Sequence, residues 1–267
     1  MNQKLTSTKG ILASTSTGHY TLKRYEPSKD LAHFIECFWI VRWDLKDGES
    51  FDTEILPFPN VNIAITSDTQ EVTGIVTGKF TYTLRGNGTV LGVMFKPGGF
   101  YPFYRKPIDR LTNQTVKLGT LFSVTRLRRV LAELSASDEV LVEAAEKLLR
   151  TKKPERDPNI DAIESIIQYI QDNKDVRTVQ AVSEHYEISE RTMQHVFQQY
   201  VGIGLKWIIS RYRLQDIAEA IHAGKTDWAA MAQEYGFTDQ SHFIRDFKKV
   251  LGETPTQYAQ RVASISK

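Results

Sequence analysis

Cysteine is nearly missing from this chain: Cys37 stands alone among 267 residues. An internal disulfide is therefore excluded. The apolar run around Cys37 offers no base, so the expectation is a buried structural thiol rather than a redox or catalytic one. Histidine is sparse as well. The first half holds only His19 and His33, far apart in sequence, which argues against a metal-dependent enzyme there. Nucleophile-elbow, phosphate-loop and zinc-protease patterns are also missing, and neither a catalytic residue nor a cofactor or metal is expected. No apolar run approaches the ~20 residues that span a bilayer. Residues Met1 to Gly18 are rich in Ser and Thr without an apolar signal core, so 1–19 is read as a flexible tail of a cytoplasmic protein.

What is present has the composition of an ordinary globular chain, 41% hydrophobic and 25% charged, long enough for two domains. From Tyr20 to about Asn113 the pattern is short strands and turns. Phe34 to Trp43 is aromatic and β-branched, Val61 to Thr66 alternates, and Val72–Thr77, Phe80–Leu84 and Thr89–Phe95 follow, punctuated by glycine. This predicts a small antiparallel barrel or sandwich, with a helix over Leu31–Glu36 competing for the start of the first strand. Helical periodicity takes over near Leu118. Leu121, Val124, Leu127, Leu131 and Leu134 share a face, as do Val140, Leu141, Ala144, Ala145, Leu148 and Leu149. Residues 20–150 are thus expected to form a β-rich domain with a helical bridge. Residues 151–158 read as a charged linker in which Asp157 caps and Pro158 opens a helix. An all-helical domain follows over 159–267.

That last part repeats one theme. Thr178 caps a short helix ending near Tyr186, and Ser189 caps a second from Glu190 to Tyr200. Met193, Val196, Phe197 and Tyr200 make its buried stripe, which leaves Arg191, Gln194, His195 and Gln198 outward at i, i+3, i+4 and i+7. Further on, Thr226 caps a helix burying Trp228, Met231, Ala232 and Tyr235, and Gly236 supplies a left-handed turn. A last helix buries Phe243, Phe247 and Val250 or Leu251, with Gln240, Ser241, Ile244, Arg245 and Lys248 outside. Between the units, Leu205 to His222 predicts a helix of about 18 residues, ~27 Å long. Each unit has the lengths of a helix-turn-helix, and the spacer suits two reading helices about one DNA turn, ~34 Å, apart.

The region from about Thr178 to Arg261 resembles the C-terminal domain of AraC/XylS-type bacterial transcription regulators. The resemblance runs through Ser189…Phe197, Gly202…Arg213-Leu214, Ala232…Gly236-Phe237…Gln240-Ser241-His242-Phe243…Arg245…Phe247-Lys248-Lys249, and Gly252…Thr254-Pro255…Tyr258. Ser183 stands where the family usually has Ala, Glu187 occupies a turn that favours positive φ, and Trp228 replaces a smaller aliphatic residue. More loosely, Phe34 to Trp39, Ile55-Leu56-Pro57 and Gly92 to Phe100 resemble cupin-like sensor domains attached to such regulators.

The resemblance implies double-stranded DNA as partner, contacted through Ser189, Glu190, Arg191, Gln194, His195, Gln198, Gln240, Ser241, Ile244, Arg245 and Lys248. Arg suits guanine and Gln adenine, while Ser241 and Lys248 suit phosphates. Glu190 would accept from cytosine N4 or repel phosphate. The chain from 151 to 267 carries 15 Lys and Arg against 16 Asp and Glu, and the first 150 residues 19 against 16. Non-specific attraction to phosphate is therefore expected to be weak. A small-molecule effector would meet the first half at Trp39, Trp43, Arg85, Phe95, Phe100 and Tyr104, unless these aromatics are simply core. The helices from Leu118 to Leu149 would mediate a homodimer or cover the barrel, and RNA polymerase is a further implied partner. Two rival readings stay open: a ligand-independent DNA-binding regulator, and a cupin-type enzyme fused to a DNA-binding domain.

Overall fold

The computed structural model describes residues 20–265 other than 47, 56–57, 79, 124, 127–129, 131 and 134. The expected tail, and Val124, Leu127, Leu131 and Leu134 of the expected stripe, lie outside the described residues. The strands are β1 (Tyr20–Tyr25), β2 (Ile35–Asp44), β3 (Ser50–Ile55), β4 (Asn62–Ile65), β5 (Gln70–Thr73), β6 (Phe80–Arg85), β7 (Asn87–Phe95) and β8 (Thr115–Lys117). Six of them form one antiparallel sheet in the order β1-β2-β7-β4-β5-β8, and β3 pairs with β6 as a separate ribbon. Among the described residues no ladder joins β1 to β8.

The longest pairing, β2 with β7, runs from Ile35 opposite Phe95 to Asp44 opposite Asn87, with a bulge between Ile35 and Cys37. Residues directly opposite share a face. Phe38 with Val93 and Ile40 with Leu91 supply the buried face, each 1% exposed or less. Trp39 and Trp43 take the other face, opposite Gly92 and Gly88. A Cβ on Gly92 would lie 1.8 Å from Trp39 Cε2, so the indole lies flat on bare backbone. The competing readings of Leu31–Glu36 both hold in part. A helical turn closes with Ile35 N donating to Leu31 O at 3.0 Å, and the strand starts at Ile35.

The helices are α1 (Tyr101–Tyr104), α2 (Asp138–Arg150), α3 (Pro158–Asp172), α4 (Val179–Tyr186), α5 (Glu190–Val196), α6 (Leu205–His222), α7 (Trp228–Glu234), α8 (Gln240–Leu251) and α9 (Pro255–Ile265). A π-helical stretch, Phe197–Val201, prolongs α5. Helix α2 turns Leu141, Val142, Ala145, Leu148 and Leu149 into the core and leaves Glu139, Glu143 and Lys147 outside. Its first residue, Asp138, is 7% exposed and receives Tyr25 Oη, Arg42 Nη1 and the Lys23 ammonium. Burial works to raise the Asp138 pKa, but these three donors hold it below the usual carboxylate range.

Among the described residues, two apolar clusters hold the molecule. The larger is continuous from Leu31 on the β-rich side to Ile209 in α6, and includes Ile160, Ile163, Met193, Phe197 and Val201. The smaller runs from Leu214 to Tyr258. Helix α6 therefore serves both: Leu205, Ile208 and Ile209 face the first cluster, and Leu214, Ile217 and Ile221 the second.

Candidate nucleic-acid interface

Each of the two helix-turn-helix units is built on capped helices. Thr178 accepts from Ala181 N at 3.2 Å and Ser189 from Thr192 N at 3.2 Å, as expected. In the second unit the cap is Asp227, which accepts from Ala230 N at 3.0 Å, and not Thr226. The carboxylate has the extended backbone and the reach to the third helical amide, and its charge suits the positive end of the helix. Asp239 caps α8 by accepting from His242 N at 2.7 Å.

The turns bear on two of the three departures named above, Glu187 and Ser183. Glu187 adopts φ 54°, a left-handed conformation that a side chain penalises. Ser183 Oγ donates to Ile188 O at 2.7 Å, so its hydroxyl closes the turn where the family's usual Ala has no such group. In the second unit Gly236 takes the same conformation, φ 70°.

In the first unit Ser189, Glu190, Arg191, Gln194 and His195 are exposed, Gln198 is half-buried, and Met193 and Phe197 face inward. Gln194 lies over the start of α6, where a Cβ on Gly204 would come within 2.8 Å of its Nε2. In the second unit Gln240, Ser241, Arg245 and Lys248 are exposed. Ile244 is half-buried and packs on the second cluster, so it stands at the edge of the face. Arg245 Nε donates to Ser241 O at 3.3 Å, which lays the guanidinium along its own helix. Behind this face Phe237, Phe243, Phe247 and Tyr258 stack edge to face or tilted, at centroid separations of 5.3 to 5.8 Å. Burial pushes the Tyr258 phenol up to about 12.

The six residues considered for an effector do not face one space. Trp39 and Trp43 lie on the outer face of the sheet, with Trp43 Nε1 donating to the carbonyl of exposed Arg85 at 3.0 Å. Phe95 and Phe100 sit in the core, 4.8 Å apart and edge to face, and Phe100 stacks on half-buried Tyr104 at 6.0 Å.

The grip of the β-rich half on the first helix pair has no counterpart in the sequence pattern. The ring of Tyr101 lies 4.2 Å from that of Tyr200, and Gln199 Nε2 donates to Tyr101 Oη at 2.8 Å. Thr112 Oγ1 donates to Gly202 O at 2.6 Å. Tyr200 Oη donates to Asp157 Oδ2 and accepts from Asn159 Nδ2. Burial first, and Asp157 second, push this phenol up to about 12. Lys96 pairs with Glu164 at 2.9 Å, and His33 lies 3.3 Å from Asp161. On α6, Arg211 is 4% exposed with its guanidinium 3.9 Å from the centre of the Phe58 ring. Burial lowers the Arg211 pKa to about 10, against the pull of Tyr212, Asp216 and Glu219. The π-helical stretch lies in the middle of these contacts.

Among the described residues no group of histidine, cysteine, aspartate and glutamate is placed to hold a metal. None of the described helices is long and apolar enough to cross a membrane.

This geometry, two capped helix pairs with polar outward faces joined by one long helix, is that of a double helix-turn-helix domain. Residues 182–261 match the family described as a helix-turn-helix domain, and residues 23–117 match a domain of unknown function, DUF6597. The chain thus carries a helix-turn-helix domain that follows that N-terminal domain in sequence. The F1 operon positive regulatory protein of Yersinia pestis is 29% identical over 98 residues, 36% of this chain and 33% of that protein. The arabinose operon regulatory protein of Escherichia coli is 23% identical over 129 residues, 48% of this chain and 44% of its own. The chain therefore spans less than half the length of these curated relatives. Among solved structures, a probable AraC family transcriptional regulator from Rhodopseudomonas palustris aligns at 28% identity and TM-score 0.35, over 38% of this chain and 97% of that one. ToxT from Vibrio cholerae aligns at 11% identity and TM-score 0.40, over 84% and 97%.

Proposed function

We propose that the protein is a sequence-specific transcription regulator that reads double-stranded DNA with α5 and α8. The observation that carries this reading is the match of residues 182–261 to a helix-turn-helix family, on a chain that presents two outward polar faces behind capped turns. Arg191, Gln194, His195, Gln240 and Arg245 would meet base edges, and Ser241 and Lys248 the phosphates. Exposure of all seven supports the assignment. The helical domain begins near residue 159 in this reading, and the protein works in the cytoplasm as a homodimer in contact with RNA polymerase. No enzymatic activity is proposed.

Control enters through the first unit. The β-rich half shares an apolar cluster with α3, α5 and the π-helical stretch, whereas Leu214 to Tyr258 have their own. An effector or partner bound to the N-terminal half would bias the placement of α5, and it must bind two arrangements with different affinity to do so. The experiment is selection of sites from a random duplex library by the full chain, followed by footprinting. Two protected blocks about 10 bp apart on one side of the duplex are expected. Enrichment of no sequence would overturn the reading.

A further inference from the structure

The apolar clusters of the two reading units are separate, and α6 is the covalent link between them. A second bridge exists in the loop 173–177, which joins α3 to α4 and so belongs to the first unit. Arg177 Nη2 donates to Glu234 O in the last turn of α7 at 2.5 Å. A cation is favoured there, because the final carbonyls of a helix carry partial negative charge. The guanidinium also lies directly on Gly236: a Cβ at that position would be 2.3 Å from Arg177 Nη1 and 2.8 Å from its Cδ. Three residues earlier Lys174 reaches Asp216 in the second half of α6 at 3.8 Å. The loop is itself tied down. Asn173 Nδ2 donates to Tyr169 O at 2.8 Å, Val176 N donates to Asn173 O at 2.9 Å, and Val176 packs on the larger apolar cluster.

We propose that this loop sets the angle between the two reading helices, with Arg177 as the positioning residue and Lys174 supporting it. Arg177 holds the turn that leads from α7 into α8, so the pose of α8 follows the first unit instead of the bending of α6 alone. Two reading helices held rigidly act as one bivalent ligand whose second contact benefits from a high effective concentration. That benefit is lost when geometry and site disagree.

The proposal rests on the DNA-reading function, and its test separates the two. The first arm uses duplex DNA selected by the wild-type chain, with the two protected blocks left at their selected separation or moved apart by one base pair. Wild type should lose at least about 30-fold in affinity on the insertion, since the second contact no longer falls in register. The Arg177→Ala/Lys174→Ala variant should bind the selected site about 10-fold more weakly, yet lose less than about 3-fold on the insertion. An insertion penalty equal to that of wild type would overturn the proposal. The second arm needs no DNA. Spin labels at Gln180→Cys and Lys249→Cys, both exposed positions outside the reading faces, are placed in a Cys37→Ala background, and their distance distribution is measured. The double variant should broaden it; an unchanged distribution would overturn the proposal. Should wild type select no DNA, the function reading fails, and the second arm still decides the brace.

Discussion

Gly202 offers the sharpest test of the grip between the β-rich half and the first helix-turn-helix unit. It follows the π-helical stretch with φ 94°, and a Cβ there would stand 3.0 Å from the backbone C and O of Ile108 and from its Cγ2. Gly202→Ala therefore carries two costs. The left-handed conformation costs a residue with a side chain about 1 kcal/mol. The contact with Ile108 adds about 1–3 kcal/mol of overpacking, because backbone atoms cannot swing aside as a side-chain tip can. Gly224 provides the control: φ is 91°, but nothing lies within 4 Å of its added Cβ. Gly224→Ala should cost only the conformational part. Urea unfolding of the full chain should thus place Gly202→Ala about 2–4 kcal/mol below wild type, and Gly224→Ala about 1 kcal/mol below. Equal losses in the two variants would refute the close approach of Gly202 to Ile108, and with it the grip described above.

Other consequences can be checked alongside it. Glu187→Gly relieves the left-handed strain at φ 54° on an exposed residue and should raise stability by about 0.5–1 kcal/mol in the same urea assay. Asp138→Asn keeps the shape but removes the charge that Arg42 and Lys23 pair with, at an expected cost of about 2 kcal/mol, since Lys23 and part of Arg42 remain solvated. The folded-state pKa of Asp138 is depressed, so its contribution is complete above the ordinary carboxylate range, near pH 4, and is lost as pH falls through the lower folded value. Wild type should therefore lose more stability than Asp138→Asn on acidification below about pH 4, as followed by thermal melts. With 15 basic against 16 acidic residues from 151 to 267, the dependence of DNA affinity on salt should be shallow. A log–log slope near the about −10 of strongly basic repressors would contradict this.

Periodicity carried much of this structure, and its failures have physical causes. The second unit is legible in outline, because an apolar stripe and a turn glycine coincide between Trp228 and Leu251. The Thr226 cap was one residue off, since both Thr226 and Asp227 can cap and the sequence does not say which takes the extended backbone. Strand β3, SFDTEI, has little apolar character to read, and it pairs with β6 in a ribbon that shares no ladder with the main sheet among the described residues. Three-residue β8 is too short for any alternation to show. The stripe on α5 shows which face is buried but not against what. The shared cluster with the β-rich half therefore emerges only in three dimensions, as does the π-helical stretch. The aromatic candidates failed to converge because Trp39 and Phe95 lie on opposite faces of one sheet, a parity fixed by the β2–β7 register that follows the bulge.

Whether α8 reads base edges with Gln240 and Arg245 is decided by measuring Arg245→Ala against the selected site and its single-base variants. Loss of about 1–3 kcal/mol on the selected site, with relaxed preference at one base pair and intact preference elsewhere, is the result expected of a base-reading arginine. Unchanged affinity and unchanged preference would show that Arg245 is an ordinary surface residue and that α8 does not read a base through it.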